Sequence, residues 1–189
     1  MVKTLDEKIK EAEQKIITTI SIYKEYAKTL KNTYKNVEKL DKESIPLLGD
    51  LIETMESIPN LYIELKTFIL YNIHRVATDV AETYEYHREK IIQNLRRGLE
   101  ILKNKEGLIK MNELYRLILD GKIPLQKDQE TKIMYSREEV AYKYLEVIIK
   151  GLLMDPTKYE PLYKQFIETN DLGEFVLCLP KYLPKYIES

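Results

Sequence analysis

The chain has 189 residues, 44% of them hydrophobic and 32% charged, with a formal net charge of −1. This length suits one domain, or an elongated part with a small one beside it. A balance so near neutral predicts nothing about partners for the chain as a whole, and apolar runs such as 147–149 and 151–154 are far too short to span a bilayer.

The balance hides a segregation, about +3 over residues 1–42, −6 over 43–85, +4 over 86–110 and −2 over 111–189. There is no Trp, and only six Gly, against 15 Tyr. Dense mixed charge with few thermolabile residues leans towards a thermophilic source. The lone Cys178 fits a reducing compartment and leaves no internal disulfide. Charges recur every few residues at the N-terminus, which is unlike a signal peptide. The expectation is a soluble, cytoplasmic protein.

The first helix opens at Thr4-Leu5-Asp6-Glu7, a capping box in which Thr and Glu satisfy each other's backbone donors. Its apolar stripe runs Leu5, Ile9, Ala12, Ile16, Ile20, Tyr23, Ala27, Leu30, Tyr34 and Val37, and reaches about residue 40. The spacing is heptad-like, with one extra four-residue step from Ile16 to Ile20, a stutter that locally unwinds a coiled coil. On the same helix Lys24, Lys28, Lys31, Lys35 and Lys39 form a row that continues to Lys42. Such a row can track a phosphate backbone, with Tyr23, Tyr26 and Tyr34 beside it to stack on bases. Equally, these lysines flank the stripe as coiled-coil edge residues do, and could pair with the acidic segment 43–85.

A break at 41–44 leads into a short helix over 45–58, capped by Ser44, with Pro46 in its first turn and Gly49 inside it. Pro59-Asn60 ends it, and Asn60 is the expected cap of the next element. From Tyr62 onwards Leu65, Ile69, Ile73, Val76, Val80, Tyr84, His87, Ile91 and Leu95 repeat at steps of 3, 4 and 4. This eleven-residue period predicts a single long helix of about 45 residues stopping near Gly107. Two long helices in one chain are most simply each other's partners, and excess seam length favours self-association. His87 falls on the seam, as a register-fixing polar residue or a protonation switch, whereas His74 lies off it and is expected to face solvent. Arg88, Arg96 and Arg97, with Lys90, Lys103, Lys105 and Lys110, form a second basic cluster. Tyr71 and Tyr86 fall off the seam and are candidates for a protein interface.

The remainder reads as a compact helical region. An amphipathic helix over 108–120 ends at Gly121, and 121–135 is the longest loop-like stretch. Ser136-Arg137-Glu138-Glu139 is a second capping box, and Asp155-Pro156 opens a further helix. Residues 175–179 fit a short strand or a buried helical turn. The tandem Leu179-Pro180-Lys181-Tyr182 and Leu183-Pro184-Lys185-Tyr186 either packs along the surface or docks a partner groove, which adds Tyr182 and Tyr186 to the interface candidates.

No glycine cluster forms a phosphate-binding loop, and two His with one Cys make a zinc site of the usual ligands implausible. No catalytic, cofactor or metal site is expected. The sequence therefore predicts an all-α protein, with an elongated helical part over 1–106 and a small helical domain over 107–189. Its expected role is a non-catalytic assembly or adaptor protein that binds protein subunits or itself. The alternative is a nucleic-acid-binding subunit using Lys24, Lys28, Lys31, Lys35, Lys39, Arg88, Arg96 and Arg97.

Overall fold

The computed structural model describes residues 2–80, 85–123 and 136–179. Among them are eight α-helices and no strand, so the protein is all-α.

Helix α1 (Leu5–Leu40) runs unbroken for 36 residues, about 54 Å at the standard rise. The expected capping box starts it: Glu7 N–H donates to the Thr4 hydroxyl at 3.3 Å and Thr4 N–H to the Glu7 carboxylate at 3.0 Å. Asp41 ends it in an extended conformation, and its carboxylate accepts from Glu43 N–H and from the Ser44 hydroxyl. This junction leads through a 3-10 turn (Lys42–Ser44) into α2 (Ile45–Ser57). The expected cap Ser44 makes no capping hydrogen bond for α2; it is buried and serves Asp41 instead.

Helix α2 runs back along α1. The Tyr26 hydroxyl donates to Glu56 at 2.5 Å, and a methyl on Gly49 would stand 3.7 Å from the Tyr34 hydroxyl, so rising numbers on one helix meet falling numbers on the other. The chain then turns at Asn60, whose φ of 62° lies in the left-handed region that Asn tolerates. Asn60 does not cap the next helix. Asn112, 50 residues on, accepts from Tyr62 N–H at 3.0 Å and donates to the Asn60 carbonyl at 3.1 Å.

Helix α3 (Ile63–Arg75) lies parallel to α1, since Thr33 donates to the Leu70 carbonyl and Asn36 meets His74. The two helices do pack on each other here, through the off-stripe residues Thr33, Asn36, Leu70 and His74 among others, but the predicted 45-residue helix is divided. A π-helical turn (Val76–Val80) follows α3, then a 3-10 turn (Glu85–His87), then α4 (Arg88–Leu102). The sequence supplies a local reason. β-branched Val76 and Thr78 crowd a helix, and the Thr78 hydroxyl donates back to the His74 carbonyl at 2.6 Å, a contact that bends helices. Lys103 then closes α4, and Asn104 caps α5 (Lys105–Leu119) by accepting from Gly107 N–H at 3.0 Å. Gly107, the expected stop, is therefore inside a helix.

Helices α6 (Arg137–Met154), α7 (Pro156–Glu168) and α8 (Leu172–Leu177) complete the described fold. The second capping box is present at Ser136 and Glu139, and 175–177 is helical rather than extended. Helix α6 is central, with nine buried residues, and packs against α3, α4, α5 and α7. Its approach to α4 is close because Gly98 faces the α6 backbone: a methyl there would lie 2.5 Å from the Leu152 carbonyl oxygen. One cluster of buried side chains runs from Val37 to Leu179, crossing residue 106 through Leu95, Leu99, Leu102, Leu108 and Met111.

Candidate functional site

The body covers only part of α1. Helix α2 turns away after Ser57 and α3 starts at Ile63, both level with about Tyr26 of α1. Every residue from Val2 to Ser21 is exposed, so roughly 20 residues of helix, on the order of 30 Å, project beyond the other helices. On this projection the predicted stripe stands open: Leu5 is 73% exposed, Ile16 60% and Tyr23 60%, with Ile9 and Ile20 near half. Ile17 adds a flanking apolar side chain. Lower down, Leu30 and Tyr34 continue the same stripe and pack against the core.

Such a helix is not self-sufficient. An isolated helix of this length is marginal in water, and an amphipathic one is stabilised by whatever covers its apolar face. Covering the exposed parts of Leu5, Ile9, Ile16, Ile17, Ile20 and Tyr23 is worth on the order of 5 kcal/mol per helix. A contiguous apolar face of this kind marks an association site. The periodicity located the stripe; that its N-terminal half lacks a cover among the described residues follows only from the early ends of α2 and α3.

The lysine row occupies another side of α1. At 100° per residue, Thr33, Val37 and Leu40 face the body while Lys24, Lys28, Lys31, Lys35 and Lys39 lie opposite. All five are exposed, and none forms an ion pair with a described residue. The expected pairing with the acidic segment is thus not made among the described residues. Arg88 joins the end of the row, where its guanidinium donates to the Lys39 carbonyl at 3.4 Å.

Arg96 and Arg97 are engaged elsewhere. Arg96 donates to both Asp41 oxygens at 2.6 and 2.9 Å and lies 2.9 Å from Glu43, locking α4 to the end of α1. This hydrogen-bonded guanidinium, with help from Ser44 and the Glu43 amide, holds the Asp41 carboxyl below the usual carboxylate range. Arg97 pairs with Glu160 of α7 at 2.9 Å and with Glu100 at 3.3 Å.

Tyr71 is exposed beside Arg75, whose guanidinium lies 5.9 Å from its ring, and it lines a groove at the root of the projection with Ile22, Glu25, Thr67 and Tyr142. Tyr86 is exposed and its ring lies 4.4 Å from that of His87. His87 is itself exposed rather than seated in a seam, because the division of the predicted helix removes the seam there. His74 is half-buried against Asn36 of α1 rather than facing solvent. Tyr182, Tyr186, the proline-containing tandem and residues 124–135 lie outside the described residues.

Among the described residues, no group of three His, Cys, Asp or Glu side chains is placed to hold a metal, and no helix is long and apolar enough to cross a membrane. Comparison with protein-family models, with curated proteins and with solved structures found no match to this chain.

Proposed function

We propose that the protein is a non-catalytic assembly protein whose association surface is the projecting N-terminal half of α1. The observation that carries this reading is the open stripe of Leu5, Ile9, Ile16, Ile20 and Tyr23 on the stretch of α1 that has no neighbouring helix among the described residues. An apolar seam of this type is insensitive to salt, unlike an ion-paired contact. The test compares wild type with Ile9→Glu/Ile16→Glu by sizing, both purified and in extract of the source cells, at low and at molar salt. The wild type should migrate as a larger, salt-resistant species in at least one setting, and the double variant should not. Identical migration of both forms in every setting would refute the assembly reading.

A second reading rests on Lys24, Lys28, Lys31, Lys35 and Lys39, which are exposed and leave their charges unmatched among described carboxylates. Together with Arg88 they could follow a phosphate backbone over about 22 Å of helix. Arg96 and Arg97 support this less well, since their guanidinium groups already hold carboxylates.

A further inference from the structure

From the projecting helix we infer the occupant of its open face: a second copy of this chain, laid antiparallel along it. This rests on the assembly reading above and adds the partner's identity and direction.

The argument begins with spacing. The stripe positions Leu5, Ile9, Ile16 and Ile20 are symmetric about the point between Ala12 and Glu13. Read backwards from that point, Leu5 comes level with Ile20 of the second copy and Ile9 with its Ile16. The small Ala12 lies at the two-fold axis, where a short side chain lets two helices approach closely. Val2, just ahead of the helix and exposed, comes level with Tyr23. The four-residue step between Ile16 and Ile20 breaks a simple heptad and sets the centre of this symmetry between Ala12 and Glu13. The same patch facing itself is the geometry of a closed two-fold interface.

The body then selects the direction. Helix α2 already runs antiparallel to α1 on the side where Tyr34 and Tyr26 are covered, and it stops level with Tyr26. A second α1 running antiparallel would reach level 23 with its Val2, continuing the line of α2 without meeting it. A parallel copy would continue past level 26 into the space that α2 fills.

Flanking charges speak the other way. In a parallel pair, Lys8 would sit beside Glu13 of the second copy, the attractive arrangement at coiled-coil edges. In the antiparallel pair the two Glu13 side chains meet near the axis, with Lys10 of each copy beside them. Exposed ion pairs are weak and screened, whereas overlap with α2 is sterically forbidden, so the packing decides. The opposed preferences make Glu13 diagnostic: Glu13→Gln should tighten an antiparallel dimer and loosen a parallel one.

The experiment is sedimentation of the full chain over a concentration series, for wild type, Ile9→Glu/Ile16→Glu and Glu13→Gln. Oxidative cross-linking in a Cys178→Ser background accompanies it. Expected are a wild-type dimer, a monomeric double variant with an unchanged thermal transition of the body, and several-fold tighter association for Glu13→Gln. Leu5→Cys/Ile20→Cys should form a covalent dimer, while Leu5→Cys alone should not, because its two copies would stand about 22 Å apart along the axis. A dimer that cross-links through Leu5→Cys alone and is loosened by Glu13→Gln would overturn the antiparallel assignment. A wild type that stays monomeric throughout would overturn the second-copy inference. If the purified protein is monomeric yet forms a seam-dependent larger species in extract, the assembly reading survives with a different occupant; if neither occurs, both fail.

Discussion

Two glycines in helix interiors should respond to the same substitution with opposite signs. In a helix, Gly→Ala ordinarily gains about 1 kcal/mol, because alanine loses less backbone freedom on folding. At Gly49 in α2 the nearest atom to an added methyl is the Tyr34 hydroxyl at 3.7 Å, an ordinary contact. Gly49→Ala should therefore stabilise by about 0.5–1 kcal/mol. At Gly98 in α4 the methyl would lie 2.5 Å from the Leu152 carbonyl oxygen and 2.8 Å from the Leu153 Cα. Those atoms are backbone of the central helix and cannot swing aside, so α4 and α6 must separate by about 1 Å. Overpacking of this kind costs roughly 1–3 kcal/mol, and a rigid neighbour puts Gly98 at the upper end. Subtracting the propensity gain leaves a net loss of about 2 kcal/mol. At about 2–4 °C per kcal/mol for a chain this long, the midpoint should fall by roughly 4–8 °C for Gly98→Ala and rise by roughly 1–4 °C for Gly49→Ala. Thermal unfolding followed by far-UV circular dichroism measures both. A midpoint for Gly98→Ala at or above wild type would refute the close α4–α6 approach and, with it, the placement of α6 at the centre.

Three further outcomes are expected. The Tyr163 hydroxyl is buried with no hydrogen-bond partner among the described residues, so Tyr163→Phe should raise the unfolding free energy by about 1 kcal/mol in denaturant titration; a fall of that size would mean the hydroxyl is bonded. The Asp41 carboxyl is held below its usual range in the folded state, so its contribution is complete at neutral pH and is lost as pH falls through the carboxylate range and below it. Asp41→Asn should therefore flatten the acid limb of the stability–pH profile, and an unaltered limb would show that Arg96 does not act through this carboxylate. If the lysine row contacts nucleic acid, binding should weaken with a log–log salt slope of roughly −4 for four or five phosphates, and Lys28→Glu/Lys31→Glu should flatten it; no binding at low salt would dispose of that reading.

The sequence carried some of this architecture plainly. Thr4 with Glu7, and Ser136 with Glu139, mark helix starts because each pair satisfies backbone donors within one turn, and both boxes are formed as read. Other features depend on residues distant in sequence. Tyr62 N–H is satisfied by Asn112, and no local pattern around Pro59-Asn60 announces a cap supplied from α5. The eleven-residue rhythm from Tyr62 records which side chains are apolar, and Leu65, Ile69, Ile73 and Val76 are indeed buried, but a rhythm without Gly or Pro does not register where a helix bends. His87 was therefore given a seam that the bend removes. For the candidate site, the stripe from Leu5 to Tyr23 was legible as a surface needing cover. Which chain supplies the cover depends on where α2 and α3 end relative to α1, and that follows from the packing at Tyr26, Thr33 and Asn36.

The most direct test of the association face is hydrogen exchange of the amides in residues 8–22, measured in the full chain beside those of α6. A lone projecting helix of this length opens readily and protects its amides weakly. If the stripe of Leu5, Ile9, Ile16 and Ile20 is covered in solution, these amides should exchange slowly in the wild type, more slowly at higher protein concentration, and fast in Ile9→Glu/Ile16→Glu while α6 stays unchanged. Fast exchange of residues 8–22 in the wild type at every concentration and in extract, equal to that of the double variant, would contradict the account.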